Sequence, residues 1–357
     1  MTHSRRSVLR RGAGLAVAGS AASLAGCSGG GTGGSEGFDS GYAAFFTLND
    51  WANEVAGEHA SFEDPVDVGQ LGHGWTPDGT LAAEVAATDA FVYLDSPEFS
   101  WAQDLAATLE SDYDSVAVVD VLDGLEGDLL EWDHSHGGEG GNHDGEDHDG
   151  EGGTHEGDDH EGDDHEGHDH EGHDHGGETR HDPHVWVDPV LAAEMVETIA
   201  AGLGEADPEH AEAYAANAEA YAEELGAVDD AFESIAERAE RDVAVLAGHN
   251  SFQYLEARYG FRLHSPVGVS PQNEPTQSEV ADTIDIVDSE GIEVVLYDRF
   301  QSPRLAESIV ENSDATEAVP VTPAGGTTRE WNDAGYGYVD QMTEINVPAF
   351  ERAFGAQ

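Results

Sequence analysis

The chain contains no lysine and only one cysteine. All 13 basic residues are arginine, set against 75 acidic side chains, for a formal charge of −62. Without lysine there is no Gly-x-x-x-x-Gly-Lys phosphate loop, so any ATPase that serves this chain is a separate subunit. The lone Cys27 excludes an internal disulfide. Beyond the N-terminus no stretch reaches about 18 consecutive apolar residues, which predicts no permanent membrane span. Neither a His-Glu-x-x-His helix nor a Gly-x-Ser-x-Gly elbow is present, which removes two common hydrolase signatures and argues against an enzyme. A field this negative repels phosphate backbones and anionic head groups, so nucleic acid is excluded and cations are favoured as partners.

The acid excess runs through the whole chain. Residues 133–182 hold 19 of the acids and one Arg, so the other 56 acids and 12 Arg still carry −44. An acidic, lysine-free fold reads as a surface adapted to very high salt, where the Debye length falls to about 3 Å and self-repulsion is screened. The expected source is an extreme halophile. With 357 residues, and roughly 150 per domain, two folded units are expected.

Residues 1–27 read as an export signal. Arg5-Arg6 followed by Val8-Leu9 matches a twin-arginine signal, and 12–26 is an uncharged run of small and apolar residues, too short for a permanent span of about 20. Leu24-Ala25-Gly26-Cys27 has the form of a lipobox, which makes Cys27 the expected lipidation site. A Gly/Ser tether follows over 28–40. The expected location is therefore the outer face of the cell membrane, with the chain held by a lipid anchor.

From residue 41 short apolar runs alternate with helical patterns, which predicts an α/β fold of two lobes. Strands are expected at 43–47, 66–69, 90–94 and 115–121 in an N-terminal lobe over 41–205, and at 243–247, 263–267, 293–297 and 318–321 in a C-terminal lobe over 242–357. Helices are expected at 50–57, 78–88, 101–110, 250–259, 276–290, 303–312 and 333–354. Each lobe should hold a mainly parallel sheet flanked by helices. Asp188-Pro189 and Asp207-Pro208 each place an N-cap acid before a proline at the first helical position. Apolar residues from Ala211 to Ala239 recur at spacings of three and four, so 206–241 should be one long linker helix between the lobes. Gly226 is the one place where it is expected to break, if it breaks at all.

Residues 133–182 differ in kind. They contain twelve His in repeats such as Asp-His-Glu-Gly, with Gly where packing side chains would be needed, and are expected to be disordered. Imidazoles suit zinc, copper and nickel, and the flanking acids concentrate cations. His160, His165, His168, His170, His173 and His175 are the expected accessory capture residues. Outside the insert, His59 and His210 read as solvated helix-end residues and His264 as a half-buried strand residue. His73, His184 and His249 each sit in a loop where an open α/β sheet delivers its ligands, and are expected to converge on a cleft between the lobes.

Asp182-Pro183-His184-Val185-Trp186-Val187-Asp188-Pro189 resembles the DPHxWxDP motif of the metal-binding lipoproteins of ABC importers, the ZnuA-like group. Gly248-His249-Asn250-Ser251-Phe252 and Ser270-Pro271-Gln272-Asn273-Glu274-Pro275-Thr276 resemble two further segments of that group, and the His-rich insert falls where zinc-binding members carry theirs. The resemblance covers 41–354. It implies a monomeric extracytoplasmic subunit that binds Zn²⁺ through His73, His184 and His249 and passes it to a permease driven by a separate ATPase. Two positions depart from the pattern. Gly72-His73-Gly74-Trp75-Thr76-Pro77 replaces the usual Pro-His-x-x-x-Pro, and Thr322 stands where many members place a fourth ligand. The fourth position is therefore open to water, a His of the insert, or Asp298. Manganese-binding members usually carry carboxylates at the third and fourth positions, so zinc is favoured, with manganese transport or an extracellular store or adhesin as the alternatives.

Overall fold

Several of the short strands that form are almost wholly apolar. Val243–Leu246 is buried at every position and Ala90–Tyr93 at three of four, as befits parallel strands covered on both faces. The computed structural model describes residues 38–131, 181–268 and 275–357. The N-terminal lobe contains β1 (Ser40–Ala43), α1 (Phe46–Ala56), β2 (Ser61–Glu63), α2 (Leu81–Val85), β3 (Ala90–Tyr93), α3 (Ser100–Asp112), β4 (Ala117–Asp120) and α4 (Pro189–Ala206). Helix α5 (Ala211–Arg238) leads to the C-terminal lobe. That lobe contains β5 (Val243–Leu246), α6 (Gln253–Tyr259), β6 (Arg262–His264), α7 (Gln277–Glu290), β7 (Val294–Asp298), α8 (Arg304–Glu311), β8 (Glu317–Val321), α9 (Arg329–Ala334), α10 (Tyr338–Gln341) and α11 (Val347–Phe354). Every strand pairing is parallel, in the orders β2-β1-β3-β4 and β6-β5-β7-β8. Two parallel-sheet lobes flanked by helices are therefore observed, as the alternation predicts.

Helix α5 is one unbroken rod of 28 residues, about 42 Å at 1.5 Å per residue. Gly226 passes through it, so the proposed break does not occur. Its buried stripe of Tyr214, Ala218, Tyr221, Leu225, Val228, Phe232 and Ile235 recurs at the expected spacing. Asn217 donates to Val55 O of α1 at 2.9 Å, and Phe232 packs on Phe350 of α11 with ring centroids 5.4 Å apart. One helix thus grips both lobes, and one continuous apolar core runs from Trp51 and Phe91 through Trp186 to Phe252 and Phe354.

Four local expectations are corrected. The second strand lies at Ser61–Glu63, with only Phe62 turned inward, and 66–69 belongs to the loop beyond Pro65. The first strand ends at Ala43 and α1 starts at Phe46, a few residues earlier than expected. Asp207 does not cap α5, because its carboxylate is taken by Tyr214 Oη at 2.7 Å and His210 Nδ1 at 2.6 Å. The helix expected at 333–354 is instead broken into pieces. Gly335 ends α9 in the left-handed region, at φ 74°. Over Met342–Asn346 the turn widens so that Val347 N–H reaches Met342 O, five residues back. The widening turns Asn346 inward, where it exchanges two hydrogen bonds with the backbone of Thr322, at 2.9 and 2.8 Å.

Candidate metal centre

His249 follows β5 and Asp298 ends β7, the neighbouring strand in the sheet. This is the carboxyl edge where the strand order reverses, and where such folds place ligands. His184 opens a short 3₁₀ turn, His184–Val187, held by Asp188 at the start of α4. Asp188 Oδ1 accepts from Val190 N and Leu191 N, which bears out the sequence-based N-cap there. His73 lies in the long β2–α2 loop. Gly72 lets that loop close over the core, since a Cβ there would stand 2.6 Å from Phe45 Cβ.

The three histidines converge. Their ligating nitrogens lie within 4.8 Å of one another, and they are the described residues that form such a cluster. Ring centroids are 6.0 Å apart for His73 with His184 and with His249, and 5.5 Å for His184 with His249. In each ring Nε2 is buried and has no hydrogen-bond partner. Three orphaned nitrogens at one point are costly in an apolar interior unless something pairs with them. Asp298 Oδ2 is likewise buried without a partner, while its other oxygen accepts from Phe300 N at 2.9 Å. Its carboxyl nevertheless stands outside the set drawn together within 4.8 Å.

Two rings are oriented from behind. Asp182, itself buried, accepts from His184 Nδ1 at 2.7 Å and from His184 N at 3.0 Å. An acceptor-only carboxylate keeps the proton on Nδ1 and leaves Nε2 free to ligate. Gln301 meets His249 Nδ1 at 2.7 Å. Helix α6 locks the His184 segment at both ends. Tyr254 Oη donates to Asp182 O at 2.9 Å, and Arg258 Nε donates to both oxygens of Asp188 at 2.6 Å. Nothing in the sequence marks Gln301 for its task. Asp182, two residues before His184, was visible there only as part of a motif.

Thr322 is not a free ligand. It is fully buried, its hydroxyl donates to Gln341 Oε1 at 2.9 Å and accepts from Ala324 N at 2.9 Å. His264 is a satisfied half-buried residue, paired with Thr283 Oγ1 at 3.0 Å. His59 and His210 were expected to be solvated. They are half-buried and stacked, with ring centroids 4.0 Å apart. Cys27, Glu274 and the insert residues His160, His165, His168, His170, His173 and His175 lie outside the described residues. The two chain ends that flank the insert meet, with Glu131 and His181 paired three residues before His184.

Burial, with the neighbouring His184 adding to it, lowers His73 to about 4 and His249 well below the ordinary imidazole range. Both rings are therefore neutral, as metal ligation requires. Their depressed values carry a stability cost on acidification. Between about 6.5 and 4 the unfolded ring takes a proton that the native one refuses, so stability falls as pH falls through that window. Asp298, raised by burial to about 6, acts in the opposite sense between its ordinary value and 6. Metal-free His73→Gln should therefore lose less stability than the parent from pH 6.5 to 4, by up to about 3 kcal/mol. Denaturant melts at the two pH values measure this, and equal losses in both proteins would refute it.

Fold and site together define a two-lobed α/β solute-binding protein. The family described as zinc-uptake complex component A, periplasmic, matches residues 42–353, and the chain belongs to it. That is a family of transport proteins and not of enzymes. The zinc-binding lipoprotein AdcA of Streptococcus pneumoniae is 28% identical over 310 residues, covering 86% of this chain and 54% of the relative. The high-affinity zinc uptake system protein ZnuA of Bacillus subtilis is 29% identical over 163 residues, 46% of this chain and 50% of its own length. The chain thus spans about half the length of these relatives. Among solved structures, the Zn(II)-bound ZnuA-like domain of S. pneumoniae AdcA superposes with a TM-score of 0.65 at 24% identity, over 89% of this chain and 99% of that one. The metal-dependent lipoprotein YcdH of B. subtilis gives 0.67 at 21% identity, over 88% and 99%. These two likenesses show the shared fold. No helix among the described residues is long and apolar enough to cross a membrane.

Proposed function

We propose that the chain is the extracytoplasmic subunit of an ABC importer that carries Zn²⁺ as cargo. His73, His184 and His249 hold the ion through Nε2, with Asp298 as the candidate fourth ligand. The observation that supports this most strongly is the set of three buried, partnerless Nε2 atoms at one point. A tetrahedral ion with nitrogen ligands at about 2.0–2.1 Å suits three neutral imidazoles and a single further donor. A hard, oxygen-seeking ion such as manganese suits them less. The relatives named as a zinc-binding lipoprotein and a high-affinity zinc uptake system protein lend the same direction.

Cys27 carries the lipid that anchors the chain after twin-arginine export, and the mature protein is a monomer that hands its ion to a permease powered by a separate ATPase. His160, His165, His168, His170, His173 and His175 raise the local zinc concentration beside the site, since the insert begins and ends near His184. The acidic, lysine-free surface suits strong brine.

Competitive calorimetry of the full chain with Zn²⁺ and Mn²⁺ in strong KCl, beside a variant lacking 133–182, tests this reading. One tight zinc site that survives the deletion, with weaker sites removed, is the expected result. Loss of all zinc binding with the insert would overturn the three-imidazole site and leave a store.

A further inference from the structure

The two rings that are held from behind are held in unlike ways. His184 is backed by a buried carboxylate that only accepts, and so has one tautomer. The carboxamide of Gln301, which backs His249, has both a donor and an acceptor of nearly the same shape. Its nitrogen faces His249 Nδ1 at 2.7 Å. An amide N–H there needs a lone pair on Nδ1, and that places the ring proton on Nε2, the atom turned toward the other two histidines. In that state His249 cannot ligate. A half-turn of the amide brings its oxygen to Nδ1, accepts a proton there, and frees the Nε2 lone pair. The ring stays neutral throughout. One proton leaves Nε2 for solvent and another from solvent joins Nδ1, so the exchange is a change of tautomer and not a titration. Gln301 as a residue is exposed, so water can serve the amide in either orientation.

We propose that Gln301 is a positioning residue that makes His249 a two-state ligand, with the amide's half-turn coupled to capture and release of the ion. The proposal rests on the three-imidazole reading. A neutral amide also lends Nε2 less basicity than a carboxylate does, so the C-terminal lobe holds the ion more loosely than Asp182 and His184 do from the N-terminal lobe.

The test compares Gln301→Glu and Gln301→Leu with the parent full chain. Zinc affinity is read by competition, release by stopped-flow transfer to a chelator, and the His249 tautomer by ¹⁵N–¹H correlation of the metal-free protein. Gln301→Glu supplies an acceptor only, and should tighten binding on the order of 10-fold or more and slow release in proportion. Gln301→Leu should weaken binding by a similar factor. The metal-free parent should show Nε2–H and Gln301→Glu should show Nδ1–H. A merely structural role would move both variants in the same direction, and that result overturns the proposal. So does Nδ1–H in the metal-free parent. A parent that binds no zinc, or His184→Ala binding as tightly as the parent, overturns the three-imidazole reading itself, which is a separate result.

Discussion

Replacing His184 with Ala should weaken zinc binding on the order of a thousandfold and abolish the thermal stabilisation that zinc confers. Structural zinc sites bind with about 10–16 kcal/mol in all, and on that scale one of three or four ligands carries a share near 4 kcal/mol, or three decades of affinity. The loss should exceed that from Asp182→Asn, which keeps the ligand and removes only the charged acceptor behind it, and for which a 10- to 100-fold loss is expected. At a zinc concentration of 100 Kd the parent gains about 2.7 kcal/mol of stability, while the Ala variant under the same conditions gains almost none. Calorimetry and thermal melts with and without zinc check both statements. Because His184 is buried at 1% exposure beside Trp186, the metal-free melt must accompany the titration. A variant that melts like the parent without zinc and still binds it tightly would place the ion elsewhere.

The second large effect is on the fold. Trp186→Ala should cost about 3–5 kcal/mol, the range for emptying a large aromatic from a core. The indole packs on Phe45 at 5.0 Å and Phe99 at 6.0 Å between centroids, both in the N-terminal lobe. Its Nε1 donates to Pro323 O at 2.7 Å, just beyond β8 of the C-terminal lobe, and Tyr338 Oη donates to its carbonyl at 2.6 Å. The substitution therefore opens a cavity and leaves a buried carbonyl unpaired at the seam of the lobes. Trp186→Phe keeps most of the volume and loses the hydrogen bond, so it should cost about 1–3 kcal/mol. Denaturant melts of the two variants separate the terms. If Trp186→Ala fell within 1 kcal/mol of the parent, a core shared by the two lobes would be the wrong picture.

Much of the architecture was legible because it is local. β3 and β5 are unbroken apolar runs between polar turns, and β7 is one up to its closing Asp298; such runs have few other places to go. Asp188-Pro189 pairs an N-cap acceptor with a residue that needs no N–H, and α4 begins there. The stripe along α5 outweighed one glycine because seven buried side chains stabilise the rod more than Gly226 costs. Where the reading slipped, a distant partner had decided. Asp207 looked like a cap, but Tyr214 and His210 claimed its carboxylate. The C-terminal helix looked continuous, but pairing Asn346 with Thr322, 24 residues away, is worth a widened turn.

The site divides in the same way. Residue order determined that His184 has an acid two positions before it and a capped helix after it, and that His73 and His249 lie in loops beyond strands. It determined the charge of −62 and the histidine-rich run between two ligand candidates. Only the tertiary structure decided that these three rings meet, that Thr322 is already spoken for, and that Gln301 stands behind His249. Those are contacts across 19 to 176 residues of sequence, from Thr322 with Gln341 to His73 with His249. They depend on the angle at which α5 and the shared core hold the two sheets, and no periodicity or spacing along the chain encodes that angle.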